Sequence, residues 1–348
     1  MKTILIQSIG TAKPGITKIL ADAFEVNHQL LTQMIYNAPS VFLHNIDNET
    51  AQKAETLLSE LGLEVSLQNA DEPIPSQSEK IDIALYIQNP VKIQEIAQQL
   101  ADFIGVNEKE AFGLLIQDPA IVLGGVSRNT ALALEKRIDA EVMISNPREA
   151  TYTILVKDFT PTFINEFRLL CQNAGLSLLD NRLTGLTHSQ AQKLFVKVQD
   201  TQKIKLVNED FIRYKINLNT IDVSNEDSVR FLNEQIGMPV DLINQLANHL
   251  PLQIEESIAR CKVADYLKLT NEVGLDCVAV AVPVEQYLLN IENIAHKKQV
   301  ERTLDMFFKK VEITDTKWQT PHKLDSVLNR LLSQQLEALG CDVEPIYN

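Results

Sequence analysis

The chain is poor in cysteine, poor in basic residues and free of long apolar runs. Four cysteines, Cys171, Cys261, Cys277 and Cys341, are scattered through 348 residues with no CxxC pair. That spacing excludes the common zinc and dithiol-redox motifs and leaves buried, reduced thiols as the expectation. Lys and Arg total 32 against 46 Asp and Glu, for a net charge of −14. A broad nucleic-acid footprint needs clustered cations, so nucleic acid is not an expected partner. Docking on an anionic membrane is disfavoured for the same reason. No apolar stretch approaches the roughly 18 residues that span a bilayer, and Cys277–Val282 is only strand length, so no membrane insertion is expected. Gln7 and Ser8 interrupt the first apolar run before a signal-peptide core forms, which gives a cytoplasmic expectation.

Catalytic signatures are also missing. Gly10 and Gly15 bracket a loop between a predicted strand and helix, but Ile16-Thr17 follows where a phosphate loop needs Lys and Ser or Thr. A tight turn is the better reading. The histidines, His28, His44, His188, His249, His296 and His322, have no partner at ligand spacing, so no metal site is expected. Glu108/Glu110 and Glu255/Glu256 are placed at helix starts or polar turns, where carboxylates suit the helix dipole. No GxSxG or HExxH occurs. The expectation is no catalytic residue, no cofactor and no enzyme.

What the chain does have is repetition. A shift of 80 carries Val26 to Val106, Asn27 to Asn107, Pro39 to Pro119 and Ala51 to Ala131. A shift of 212 carries Pro39 to Pro251, Ile46 to Ile258, Gly62 to Gly274 and Leu63 to Leu275. Shared spacing of this kind marks one small domain copied several times. Periodicity and capping residues give each copy the order βααβαβ. In the first copy Thr3–Gln7 reads as a strand and Ile16–Phe24 as a helix. A second helix follows from an Asn27 N-cap, and Asp47 caps a third that Gly62 closes. The divisions are 1–68, a linker at 69–79, then 80–147, 150–208, 210–283 and a divergent 284–348. The third and fifth are reduced to βαβαβ. The fold class is therefore α+β, a tandem array of about five small units. Each is of a size that buries only about 60% of its unfolded surface and gains from packing on neighbours. The linker, Pro-containing and polar, is expected to let the first unit move.

Gly10 to Lys18, Asn37-Ala38-Pro39 and Leu57–Val65 resemble the C-terminal domain of the bacterial ribosomal stalk protein. That domain has the same βααβαβ order, a lysine-bearing loop before its first helix and an Ala-Pro after its second. The Clp protease N-degron adaptor has a similar fold. The resemblance covers nearly all of the first unit, extends as a pattern to the second and fourth, and is weak in the third and fifth. It implies that basic and apolar residues of the first two helices recruit protein partners. Lys13, Pro14, Thr17 and Lys18 fall on matching positions. Two other basic positions become Ala21 and Thr32. The places of Lys13 and Lys18 are taken by Ile93 and Gln98 in the second unit and by Asn225 and Arg230 in the fourth. Arg230 and the single tryptophan, Trp318, complete the candidate protein-binding residues, since Trp and Arg are enriched in binding hot spots. Lys297-Lys298 and Lys309-Lys310 flank a predicted amphipathic helix nearby.

The first functional expectation is a non-enzymatic adaptor or scaffold that holds other proteins, within a larger assembly. The alternatives are an accessory factor of translation or regulated proteolysis, and an enzyme with a composite site between units.

Overall fold

The first seventy residues show how local sequence sets local structure. Alternation along Lys2–Ser8 (β1) turns Ile4 and Ile6 into the core, where both are fully buried. Ile16–Phe24 (α1) presents Ile16, Leu20 and Ala21 to that core. Asn27 caps His28–Tyr36 (α2) by accepting from the Gln29 and Leu30 amides. Ser40–Ile46 (β2) follows, and Asp47 accepts from the Thr50 amide to start Asn48–Glu60 (α3). Gly62 then takes φ +93°, and a Cβ there would meet the Ala12 amide nitrogen at 2.8 Å. Only glycine fits that turn. Glu64–Asn69 (β3) ends the segment.

The remaining elements run Ile81–Tyr86 (β4), Ile93–Ile104 (α4), Glu108–Leu115 (α5), Ala120–Val126 (β5), Arg128–Glu135 (α6) and Glu141–Ser145 (β6). Next come Tyr152–Val156 (β7), Pro161–Asn173 (α7), Arg182–Leu186 (β8), His188–Val198 (α8) and Ile204–Asn208 (β9). Arg213–Thr220 (β10), Glu226–Glu234 (α9), Val240–Ile243 (α10), Leu252–Ala259 (β11), Arg260–Glu272 (α11) and Asp276–Ala281 (β12) follow. Leu288–Glu292 (β13), Lys297–Phe307 (α12), Trp318–Gln319 (β14), Ser326–Ala338 (α13) and Asp342–Ile346 (β15) close the chain. The computed structural model describes residues 1–76, 79–157, 159–179, 181–198, 203–243, 245, 249–282, 287–308 and 311–346. Lys309 and Lys310 lie outside the described residues.

The class is α+β, with five three-stranded sheets among the described residues, ordered β2-β1-β3, β5-β4-β6, β8-β7-β9, β11-β10-β12 and β14-β13-β15. In each the first strand is central and antiparallel to both neighbours. The second strand shifts register near the start of the central strand in four of them, at Lys2/Ile4, Ile81/Ile83, Tyr152/Ile154 and Tyr214/Ile216. Left-handed residues sit in three of those second strands, Asn45, Gly125 and Gly185. Pro39, Pro119 and Pro251, aligned by their spacing, each follow a cis peptide bond. Glu255 and Glu256, expected at a helix start or polar turn, lie instead within β11.

The chain divides into two compact units, Met1–Asn146 with Val284–Asn348, and Pro147–Pro283. Within the larger unit a single hydrophobic cluster runs from Ile4 to Ile138 and takes in Leu331 of α13. Phe103 is fully buried in it, its ring edge-on to Tyr36 with centroids 6.2 Å apart. The Tyr36 hydroxyl donates to the Phe103 carbonyl at 2.7 Å, and the Thr130 hydroxyl donates to the Tyr36 carbonyl at 2.7 Å. Arg137 donates to the carbonyls of Gly10 and Ala12 while its guanidinium lies 4.9 Å over the Phe103 ring. Segments 1–68 and 80–146 are therefore not the two free bodies that the composition of the stretch between them suggests. The segments on either side of it share a core, which holds them more firmly than a polar linker loosens them. Within the smaller unit, the apolar cluster of 150–204 and that of 216–275 are separate.

Candidate functional site

The residues matched to the stalk domain do not form one surface. Lys13 and Lys18 are exposed. Thr17 is turned inward and only 4% exposed; its hydroxyl donates to the Pro14 carbonyl at 2.7 Å and lies 2.8 Å from His28 Nε2. As a contact residue for a partner it is out of reach, because its position on α1 belongs to the buried stripe with Ile16, Leu20 and Ala21. Pro14 is half-buried, and a Cβ on Gly105 would meet its ring carbon at 2.6 Å. It packs on the segment that follows rather than standing free. Ile19 and Leu30 add exposed apolar surface to the α1–α2 pair. Neither attracts notice in the sequence, because each sits one position away from a buried residue in an ordinary amphipathic pattern.

Trp318 is half-buried on the short edge strand β14, beside Phe308 at a centroid distance of 5.6 Å. It is packed against the apolar cluster of 287–343. Its neighbour Lys317 pairs with Glu292 at 2.7 Å, and this exposed pair and the Asn290 amide hold the Glu292 carboxyl below the usual range.

Arg230 lies on α9 and faces an open groove of about 380 Å³ between α9 and α10. Val223, Val229, Asn233 and Val240 line the groove with it. Asn225 fixes the start of α9 by accepting from the Asp227 and Ser228 amides, and the Ser228 hydroxyl donates to the Val273 carbonyl at 2.6 Å. Gly274, at φ +83°, passes so close to Asn225 that a Cβ would meet its Nδ2 at 2.5 Å. The groove wall is thus anchored to the end of α11. Arg230 pairs with Asp227 at 2.6 Å, both about two-thirds exposed, which is worth little stability. Val240 and Leu242 of α10 are nearly half exposed, at 46% and 48%.

A carboxylate engaged by four donors lies elsewhere in the smaller unit, and no sequence motif points to it. Glu209 Oε1 accepts from the Thr153 hydroxyl at 2.7 Å and the Gly185 amide at 2.8 Å. Its Oε2 accepts from the Thr151 hydroxyl at 2.6 Å and from Arg260 at 2.9 Å. Gly185 at φ +68° turns its N–H toward the carboxylate. Burial, the largest influence, pushes the Glu209 carboxyl up. The hydrogen bonds from Thr151, Gly185 and Thr153, with the Arg260 charge, outweigh it and hold the group below the usual range. A carboxylate with both oxygens doubly engaged and a lowered pKa is a poor general base. Glu209 fastens instead: Thr151, Thr153 and Gly185 lie in 150–208 and Arg260 begins α11. A glutamate just past a strand and an arginine 51 positions later share no periodicity that would reveal the pair.

The remaining candidates stand apart. His44 Nδ1 lies 2.8 Å from the Thr3 hydroxyl, and His188 Nδ1 lies 3.3 Å from that of Tyr152. Among the described residues no cluster of three or more His, Cys, Asp or Glu is arranged to hold a metal. No disulfide joins the cysteines. Cys171 and Cys341 are buried as expected, but Cys261 is exposed and Cys277 half-buried, because the first lies on the outer face of α11 and the second on an edge strand. Among the described residues no helix is long and apolar enough to cross a membrane. No family model, curated protein or solved structure matches the chain.

Proposed function

We propose that this chain is a protein-binding scaffold built from five copies of one small α+β domain of the ribosomal-stalk C-terminal kind, working in the cytoplasm. The observation that carries the reading is the recurrence of one sheet order five times, first strand central. It is supported by the register shift in four sheets and by the constant spacings of 80 and 212 in the sequence. Repeated small domains in series offer several surfaces on one chain. The α9–α10 groove, with Arg230 at its wall and Val240 and Leu242 exposed, is one surface shaped to receive a partner. Lys13, Lys18, Ile19 and Leu30 form a second, and Trp318 is assigned to packing.

Affinity capture from the native lysate with the full chain tests this. Stoichiometric partners are expected with the wild type. A Val240→Asp/Leu242→Asp variant should lose those held by the groove, and a Lys13→Glu/Lys18→Glu variant those held by α1. Capture of no stoichiometric protein, together with turnover of a small molecule retained on purification, would overturn the reading in favour of an enzyme.

A further inference from the structure

β12 differs from the other described sheet edges. Unpaired edges invite another strand, and proteins commonly blunt them with bulges, charges, prolines or short length. β2, β5, β8 and β11 are bulged against their central strands. β14 has two residues, β15 contains Pro345 and β9 carries Lys205. β3 carries the polar Ser66 and Gln68, both half-buried, and β6 buries Met143 and Ser145. β12 has none of these devices between Cys277 and Ala281. Its one charge, Asp276, is at the first position, and its ladder with β10 runs in register from Cys277 to Ala281. Cys277 and Ala279 pair with the buried Leu218 and Ile216, so they face the core. Val278 and Val280 face the other way, 41% and 44% exposed. The shift of 212 places them where the first segment has Ser66 and Gln68. A half-buried polar pair on one edge is an exposed valine pair on the other.

We propose that β12 pairs antiparallel with β12 of a second copy of this chain, about a two-fold axis at Ala279. Two three-stranded sheets then become one of six. The strand is self-complementary in that register alone. Val278 meets the partner's Val280 twice, Ala279 meets itself, and Cys277 meets the partner's Ala281, so every pair is apolar and both valines share a face. A shift by one residue sets Val278 against Ala279 and turns the valines to opposite faces. A centre at Val278 brings Asp276 against Val280, and a centre at Val280 keeps only three residues of the strand in the pairing. A strand with no charge across these five residues also meets no repulsion from its own copy, although the whole chain is acidic. The proposal is independent of what else the scaffold holds, so it stands or falls apart from the capture experiment above.

The test is mass by light scattering on the full chain across a wide dilution series, with cross-linking of a Cys261→Ser/Ala279→Cys variant. A dimer that dissociates on dilution is expected. A Val278→Lys/Val280→Lys variant should be monomeric throughout, with unchanged far-UV circular dichroism because both positions are exposed. Mild oxidation should convert the Ala279→Cys variant to a covalent dimer that thiol reverses, since the axis sets position 279 against itself within disulfide reach. Cys261→Ser alone should not cross-link, because the two Cys277 would stand about 13 Å apart. A monomeric wild type with no Ala279→Cys cross-link would overturn the proposal. So would a dimer whose dissociation the two lysines leave unchanged. Should the lysine variant fail to fold, the cross-link decides.

Discussion

In the larger unit, segments 1–68 and 80–146 meet through hydrocarbon. Phe103, Leu31, Ile35, Leu100 and their neighbours form one cluster, with Tyr36 and Arg137 satisfying the carbonyls at its edge. In the smaller unit the two segments keep separate apolar clusters, and Glu209 ties one to the other through Arg260. The same sheet order is thus joined in two ways. Burial of apolar area is non-directional and insensitive to pH. A carboxylate fastened by four donors is directional, and acid undoes it. The larger joint suits a permanent frame, while the smaller one rests on a polar cluster in which Arg260 reaches both Glu209 and the Thr151 hydroxyl.

The largest expected effect comes from removing the hydrocarbon. Phe103→Ala should cost about 3–5 kcal/mol in the larger unit, by lost transfer energy and the cavity left behind, read by urea unfolding. Glu209→Ala should cost the smaller unit about 1–3 kcal/mol, by removing the acceptor shared by two threonines, the Gly185 amide and Arg260, although Arg260 keeps its bond to the Thr151 hydroxyl. The partial exposure of Arg260 keeps this below the loss for a fully buried pair. Tyr36→Phe should cost the larger unit about 1 kcal/mol, because the Phe103 carbonyl loses its donor.

The joints should also part in opposite directions on a pH scale. The Glu209 carboxyl is lowered in the folded chain, so its contribution is complete above the unfolded value of about 4.3. That contribution is lost as pH falls through the folded value below it. Tyr36 is pushed up to about 12, mainly by burial, with the Arg137 charge opposing. Its contribution is complete below the unfolded value of about 10 and is lost as pH rises toward 12. Acid should therefore weaken the Glu209 joint of the smaller unit and alkali the Tyr36 contact of the larger; Tyr266 in the smaller unit is also pushed up to about 12 by burial, so alkali reaches both units. Glu209→Ala should reduce the first sensitivity and Tyr36→Phe the larger unit's share of the second, both followed by circular dichroism.

Much of the local structure was legible because its causes are local. α1 spans the predicted Ile16–Phe24, and Asn27 and Asp47 cap the helices they were expected to cap. The strands nearest the repeated prolines ran longer than expected, as β2 shows, since a shifted register still pairs residues that look like a turn. The site was less legible. Thr17 has a surface residue's chemistry and a core residue's place on its helix. Tyr36 and Phe103 are 67 positions apart, and their contact has no signature in either segment alone. The valines of β12 were readable by aligning 278 and 280 with 66 and 68, but the sequence shows an apolar run there and not which side chains face outward.

Trp318, the only tryptophan, belongs to the larger unit, while circular dichroism reports on both. Urea unfolding of the wild type and of Glu209→Ala, followed by both signals, therefore tests most directly whether one frame carries two differently fastened parts. The account predicts that Glu209→Ala moves an early circular dichroism transition to lower urea and leaves the tryptophan transition in place. A single coincident transition, displaced equally in both signals, would contradict it.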